Sequence, residues 1–248
     1  MRLSDGLEML EISANVMGRS IIVYPTLFWD NETIVLVDAG HPGLLLKFRE
    51  AMDNAGIPFD KLNKVIITHQ DIDHIGTLPD IRDELPQQVE VLSHAEEKPY
   101  IQGDKPLIKS NPEEIAKRNT QLSSLSEKQR NATIAALQNP PKAQVDKTLS
   151  EGDELPYCGG INVIHTPGHT PGHICLYHKQ SKTLIAGDAM IVVEGQLLGP
   201  VPHFAKNLEM AKTSLKNLTQ YDITNVICYH GGLYQDNPNL RIAELANI

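Results

Sequence analysis

Three cysteines in 248 residues, Cys158, Cys175 and Cys228, are too few and too widely spaced for a disulfide framework or a zinc knuckle. They read as reduced, mostly buried thiols, and the expected compartment is the cytoplasm. The chain has no apolar run approaching the ~20 residues that cross a bilayer, so no membrane partner is expected. Met1 to Leu10 carries Asp5 and Glu8 and lacks the apolar core of a secretory signal. Basic residues are in deficit, 22 against 31 acidic ones, for a net charge of −9. That deficit argues against binding a phosphate backbone, so a small-molecule partner is expected and a nucleic acid is not. Internal repeats and low-complexity tracts are missing too. An apolar content of 41% with 21% charged residues fits an ordinary globular protein. The length allows one large domain or two small ones.

Short β-branched runs bounded by turn residues recur along the chain. Ser20–Tyr24, Thr33–Val37, Lys64–Thr68, Val89–Ser93, Ile161–His165, His173–Tyr177, Thr183–Ala186 and Asn225–Tyr229 read as strands. Helical spacing appears over Gly43–Asn54, which Gly56 stops; over Ile75–Leu85, which Pro79 interrupts; and over Leu208–Leu218. Residues 95–150 are polar and proline-rich, and Pro112–Leu137 reads as largely helical. Asn111, Pro112, Glu113 and Glu114 supply an N-cap, a first-turn proline and first-turn acids. This stretch is expected to be a helical insertion in a single domain spanning residues 1–248, either walling the active site or simply packing.

Polar residues with metal-binding chemistry gather just past the strand ends, where open α/β layers place their sites. The densest group is His69-Gln70-Asp71-Ile72-Asp73-His74, four donors in six residues after the apolar Val65-Ile66-Ile67. Imidazoles and carboxylates that close carry a desolvation penalty unless a cation sits among them. Asp38 follows another strand. Thr166-Pro167-Gly168-His169-Thr170-Pro171-Gly172-His173, Gly187-Asp188 and His230-Gly231-Gly232 complete the series. Gly168 and Gly172 also have a purely structural reading, as a turn that carries His169 inward. His41, His94, His165, His178 and His203 are read as ordinary core or surface residues, with His94 and His203 the two that could line a pocket.

These five motifs, in this order, resemble the metallo-β-lactamase-fold superfamily, on its lactonase and glyoxalase II side. The resemblance implies an α/β (α+β) protein, a four-layer αβ/βα sandwich with a helical insertion. It implies two divalent metal ions, zinc first. His69, Asp71 and His169 would hold one ion; Asp73, His74 and His230 the other; Asp188 would bridge them. Asp38 and His173 would sit behind these ligands. A metal-bridging hydroxide would attack an ester, thioester, lactone or amide carbonyl, with Asp73 as the catalytic proton shuttle. The chain departs from the family at Asp71, where the usual residue is His. Flavodiiron proteins, which share the fold, carry Glu there. The harder donor opens iron or manganese as alternatives to zinc. It also leaves Asp71 a second reading, as a carboxylate hydrogen-bonded to a ligand histidine.

Substrate is less legible, because this fold hosts many chemistries. Acyl-homoserine lactonases carry Tyr three residues after the bridging Asp, where this chain has Ile191. The C-terminal Leu240–Ile248 is short for the basic glutathione-binding region of glyoxalase II. Net charge disfavours a nuclease, and an exported β-lactamase would need a signal. Met190–Phe204 reads as an apolar pocket wall or as an edge strand with core packing. Two other classes stay open: an iron-dependent redox enzyme, like flavodiiron proteins or persulfide dioxygenases, and a non-catalytic metal-binding protein. The oligomeric state, homodimer included, is also left open.

Overall fold

The computed structural model describes residues 1–16, 18–85, 89–110 and 126–247. The first half lays down β1 (Arg2–Ser4), β2 (Leu7–Met9), a separate hairpin of β3 (Ile12–Val16) and β4 (Arg19–Val23), then β5 (Thr26–Trp29) and β6 (Ile34–Val37). Helix α1 (Leu45–Asn54) leads to β7 (Lys64–Ile67), one-turn α2 (Ile72–Ile75), α3 (Leu78–Glu84) and β8 (Glu90–His94). Next come α4 (Lys98–Ile101), α5 (Glu127–Gln138) and β9 (Lys147–Leu149). These strands make a seven-stranded sheet ordered β1-β2-β5-β6-β7-β8-β9, parallel from β6 to β9.

The second half contributes β10 (Glu154–Leu155), β11 (Ile161–His165), β12 (Ile174–His178), β13 (Thr183–Gly187), the hairpin β14 (Ile191–Val193) and β15 (Gln196–Leu198), α6 (Leu208–Ser214), β16 (Asn225–Cys228), β17 (Gly232–Tyr234) and α7 (Pro238–Ala246). Its main sheet has six strands, ordered β10-β11-β12-β13-β16-β17.

Strand periodicity sorts the side chains into three cores. Val35, Val37, Ile66 and Leu92 of the first sheet pack against Val163, Leu176, Ile185 and Ile227 of the second. The alternate residues Leu36, Val65, Ile67 and Val91 face the other way, onto Phe48 and Met52 of α1 and Leu78 and Ile81 of α3. On the far side, Ile164, Cys175, Leu184 and Val226 meet Leu215, Leu218, Ile242 and Leu245. Helices outside two stacked sheets give the αβ/βα sandwich. Burial on both faces also explains why β6 and, after Thr183, β13 carry no polar side chain and do not alternate.

Several elements differ from the sequence reading. Pro79 lies in the first turn of α3, where its missing N–H has no partner to lose, so it starts that helix and does not interrupt one. Ile75–Leu85 is accordingly split between α2 and α3. Leu208–Leu218 is α-helical only to Ser214 and tightens to a 3₁₀ helix over Leu215–Gln220. Helix α1 begins at Leu45, two residues after the expected Gly43, and Gly56 (φ +76°) follows its end. Of the expected Pro112–Leu137 helix, Glu127–Gln138 is present, while residues 111–125, with the Asn111 cap, lie outside the described residues. Among the described residues no helix is long and apolar enough to cross a membrane.

Candidate metal centre

The parallel strands β6 and β7, with β13 and β16 of the second sheet, all end at one edge of the sandwich, and each hands a polar group to it. Asp38 follows β6 in a left-handed conformation (φ 65°) and is buried. Its carboxylate accepts the Thr68 N–H at 2.9 Å and the Thr68 hydroxyl. It also lies 2.9 Å from His74 Nδ1, which orients that ring and leaves Nε2 facing the cavity. His69 Nδ1 is 3.0 Å from Thr68 Oγ1, so its Nε2 faces the cavity as well. Asp71 stands at the N-cap of α2, yet its side chain makes no capping bond and is free to turn inward.

The loop after β11 carries His169 in, and Gly187 (φ +49°) turns the chain out of β13 so that Asp188 follows. A Cβ at Gly187 would sit 2.7 Å from His173 Nε2, so only glycine fits that turn. His173 Nε2 accepts the Asp188 N–H at 3.0 Å, and its Nδ1 contacts Thr166 Oγ1 at 2.8 Å. With both nitrogens engaged, His173 sits under the cavity and supports Asp188. His230 follows β16. Tyr229 beside it donates its hydroxyl to the Asp73 carbonyl at 2.5 Å and packs on the His74 ring, centroids 3.9 Å apart.

The seven side chains expected to converge do so, as two groups. His69, Asp71, His169 and Asp188 bring donor atoms within 4.8 Å of one another, and so do Asp73, His74 and His230. In the first group, Asp71 Oδ2 is 3.2 Å from His69 Nε2 and 3.0 Å from His169 Nε2. In the second, His230 Nε2 is 3.2 Å from Asp73 Oδ2. Asp188 serves both. Its Oδ2 is 3.4 Å from His169 Nε2, and its Oδ1 is 3.3 Å from His74 Nε2 and 3.5 Å from His230 Nε2. Tetrahedral ligands bonded at ~2.0–2.1 Å stand ~3.4 Å apart. The observed spacings bracket that value.

Three donor atoms, His69 Nε2, His74 Nε2 and Asp188 Oδ1, are buried without a hydrogen-bond partner. Such orphans are costly unless something else satisfies them, and a cation would. The donor set therefore fits metal ions. Electrostatics agree. Burial pushes the His69 imidazole down to about 4, so it is neutral and ready to ligate. Burial also opposes charge on the other groups, but proximity wins. Asp38, Asp188 and Asp73 hold His74 well above its ordinary value, and Asp188 with Asp73 lifts His230 to about 10. Asp188 and Asp73 are in turn held low, chiefly by His74 and His230. Asp71 is held well below the carboxylate range, first by Lys109 and then by His69.

Several of these groups went unread in the sequence. Lys109, in the segment between β8 and β9, contacts Asp71 Oδ2 and lies 2.8 Å from His169 Nε2. Glu97 is fully buried and accepts the N–H groups of Gln70 and Gly172, at 2.9 and 2.7 Å, tying the two ligand-bearing loops together. Tyr229 was legible only as the neighbour of His230. Of the remaining histidines, His94 stacks on His165 with centroids 4.2 Å apart, and His178 bonds Ser181 and the Cys158 carbonyl. His203 packs against Phe204. His41 has a buried, unpartnered Nε2 and sits near enough to feel Asp73, His74 and His230.

This sandwich, with its paired donor sets at one edge, is that of a metallo-hydrolase. The chain belongs to the metallo-beta-lactamase superfamily, whose family model matches residues 20–230. Among curated proteins it is 30% identical over 236 residues to the "Probable metallo-hydrolase YflN" of Bacillus subtilis, covering 87% of this chain and 82% of that one. It is 25% identical over 169 residues to the hydroxyacylglutathione hydrolase GloC of Haemophilus influenzae, covering 66% of this chain and 65% of that one. Among solved structures, a metallo-beta-lactamase family protein of Thermus thermophilus superposes with a TM-score of 0.71 at 21% identity, over 99% of this chain and 80% of the other. That likeness shows the shared fold.

Proposed function

We propose that this metallo-hydrolase cleaves an ester, thioester or lactone carbonyl of a small molecule. The observation that carries the reading is the division of the Asp188 carboxylate, one oxygen toward each donor set. His69, Asp71, His169 and Asp188 would hold one divalent ion, and Asp73, His74, His230 and Asp188 a second. Such ions supply Lewis acidity and an acidified water when bound. Zinc suits the imidazoles, while Asp71 makes the first set harder and favours manganese or iron there.

The side chains around this centre do the rest. Asp73 stays anionic despite burial, because His74 and His230 face it, and its side chain is the most exposed of the three donor aspartates at 23%. It is thus placed to take a proton from the attacking water and pass it to the leaving group. Asp38 and His173 keep their partners in register through the bonds described above.

Two apolar surfaces flank the centre. The β14–β15 hairpin adjoins His230 through the bond from Val192 N–H to the His230 carbonyl and exposes Val193 and Leu198. Phe204, half exposed, lies beside Lys109. Together they suit an acyl chain better than a polyanion. Ile191 offers no hydroxyl to a lactone carbonyl, and the partial similarity to GloC adds weight to thioesters. The test is a parallel panel of esters, acyl thioesters, lactones and phosphodiesters, with Asp188→Ala as control. Carbonyl turnover that vanishes in the variant is expected. Turnover of phosphodiesters alone would move the assignment to a nuclease. Oxygen uptake by iron-loaded protein without carbonyl turnover would move it to redox chemistry, the reading that Asp71 favours.

A further inference from the structure

We infer that Lys109 is a built-in competitor for the first metal position, and that filling this position displaces its ammonium from Asp71 and His169. The lone pairs on Asp71 Oδ2 and His169 Nε2 are the ones a metal at this position would need. The Lys109 ammonium now engages both. An imidazole nitrogen has a single lone pair and cannot serve an N–H donor and a metal together. Metal binding here is therefore an exchange of one cation for another. Among the described residues, no lysine or arginine stands against Asp73 or His230 in the second set.

The placement of Lys109 is constructed and is not that of a stray surface side chain. Gln70, between the donors His69 and Asp71, reaches out with its amide. Its Oε1 accepts the Ile108 N–H at 2.7 Å, and its Nε2 donates to the buried Glu97 at 2.9 Å. The backbone beside Lys109 is thus pinned to the ligand loop itself. Lys109 lies in a 3₁₀ turn over Ile108–Ser110, and its side chain is only 20% exposed. Charge explains the pairing. Asp71 stands where the family uses a neutral histidine, and the Lys109 ammonium offsets the negative charge that this exchange adds. When displaced, the ammonium has somewhere to go, since it already lies 5.9 Å from the ring of half-exposed Phe204.

The inference rests on the metal-centre half of the proposed function and is independent of the substrate class. Its test is Zn²⁺ and Mn²⁺ binding by calorimetry and by equilibrium dialysis with elemental analysis, with no substrate present. His230→Ala isolates the first donor set and His169→Ala the second. Adding Lys109→Met to His230→Ala should tighten binding by roughly ten- to a hundredfold, as expected when a unit charge ~4 Å from the ion is removed. Adding it to His169→Ala should leave binding unchanged. Lys109→Arg keeps the charge and should stay close to the parent, which separates competition from a general packing effect. Unchanged or weaker binding in the His230→Ala, Lys109→Met protein would overturn the inference, as would equal tightening in both backgrounds. If those affinities shift as stated while no carbonyl substrate turns over, the competitor role stands and the substrate class falls. Ester turnover with no shift gives the converse.

Discussion

The two donor sets share Asp188 and differ in almost everything that holds them. The second, Asp73 with His74 and His230, is braced by groups at the ends of core strands: Asp38 after β6 and Tyr229 after β16. The first, His69 with Asp71 and His169, leans on the segment between β8 and β9, through Glu97 across its two loops and Lys109 against its donors. One set is therefore braced at the ends of core strands, and the other in part by the segment that joins β8 to β9. The residue that joins them should be the most damaging to lose. Asp188→Ala is expected to lower metal content at both positions and to take carbonyl turnover to background, with elemental analysis and single-turnover assays as the check. Retention of one full equivalent of tightly held metal would show that the sets do not depend on a shared carboxylate.

Protons offer the next largest contrast. Without metal, His230 is held up to about 10 and His74 well above its ordinary value, so both are protonated near neutral pH. His69 is pushed down to about 4 and is already neutral. A metal ion needs the imidazole lone pair, so it must expel protons from the second set and none from His69. The sign follows. Affinity at the second set should rise with pH up to about 10, by about tenfold per pH unit for each proton released. The first set should be flatter, since its His69 imidazole, held down to about 4, has no proton left to lose near neutral pH. Calorimetry in buffers of different ionisation enthalpy, on His169→Ala and His230→Ala proteins, counts those protons. Equal proton release from both would erase the contrast.

Asp38 tests the scaffold itself. Its positive φ is one that asparagine tolerates, so Asp38→Asn changes charge without forcing the backbone. The amide can no longer accept from both Thr68 and His74. A loss of roughly ten- to a hundredfold in metal affinity is expected, the range for a residue behind a ligand histidine, and it should fall more on the second set, where Asp38 touches His74 directly, than on the first, where it reaches His69 through Thr68. A loss confined to the first set would show that Asp38 does not steady His74.

How far the sequence could be read follows the same division. Asp38, His69, Asp188 and His230 were legible because each lies just past a largely apolar strand, and a polar donor in that place is a strong local signal. The strands β1, β2 and β5 were not, since runs of three or four residues are too short to show a periodicity. Ser20–Tyr24 was recognisable as a strand, but its hairpin partner Ile12–Val16 was not. Pro79 was misread because proline marks a helix start as readily as a break. Lys109 and Glu97 had no signal at all: their partners lie 38 and 27 residues back along the chain, beyond α3 and β8.

Glu97 supplies the smallest and most local test of the first set's dependence on the segment between β8 and β9. Its two oxygens accept the Gln70 and Gly172 N–H groups and the Gln70 amide, all in the core. Glu97→Gln keeps the shape but turns an NH₂ toward one of these donors. A buried donor left unpaired costs ~1–3 kcal/mol, so Tm should fall by several degrees. Burial raises the Glu97 carboxyl above its usual range against the pull of those hydrogen bonds. A carboxyl raised in the folded state binds more protons there than in the unfolded chain. Its contribution is then fully present below the unfolded value and is lost as pH rises through the folded one. The variant lacks that loss, so its deficit should narrow as pH increases from the acid side. Melting curves of both proteins across that range decide it. A deficit that widens with pH would mean that the hydrogen bonds outweigh burial, and that Glu97 holds the two loops together as a charged group.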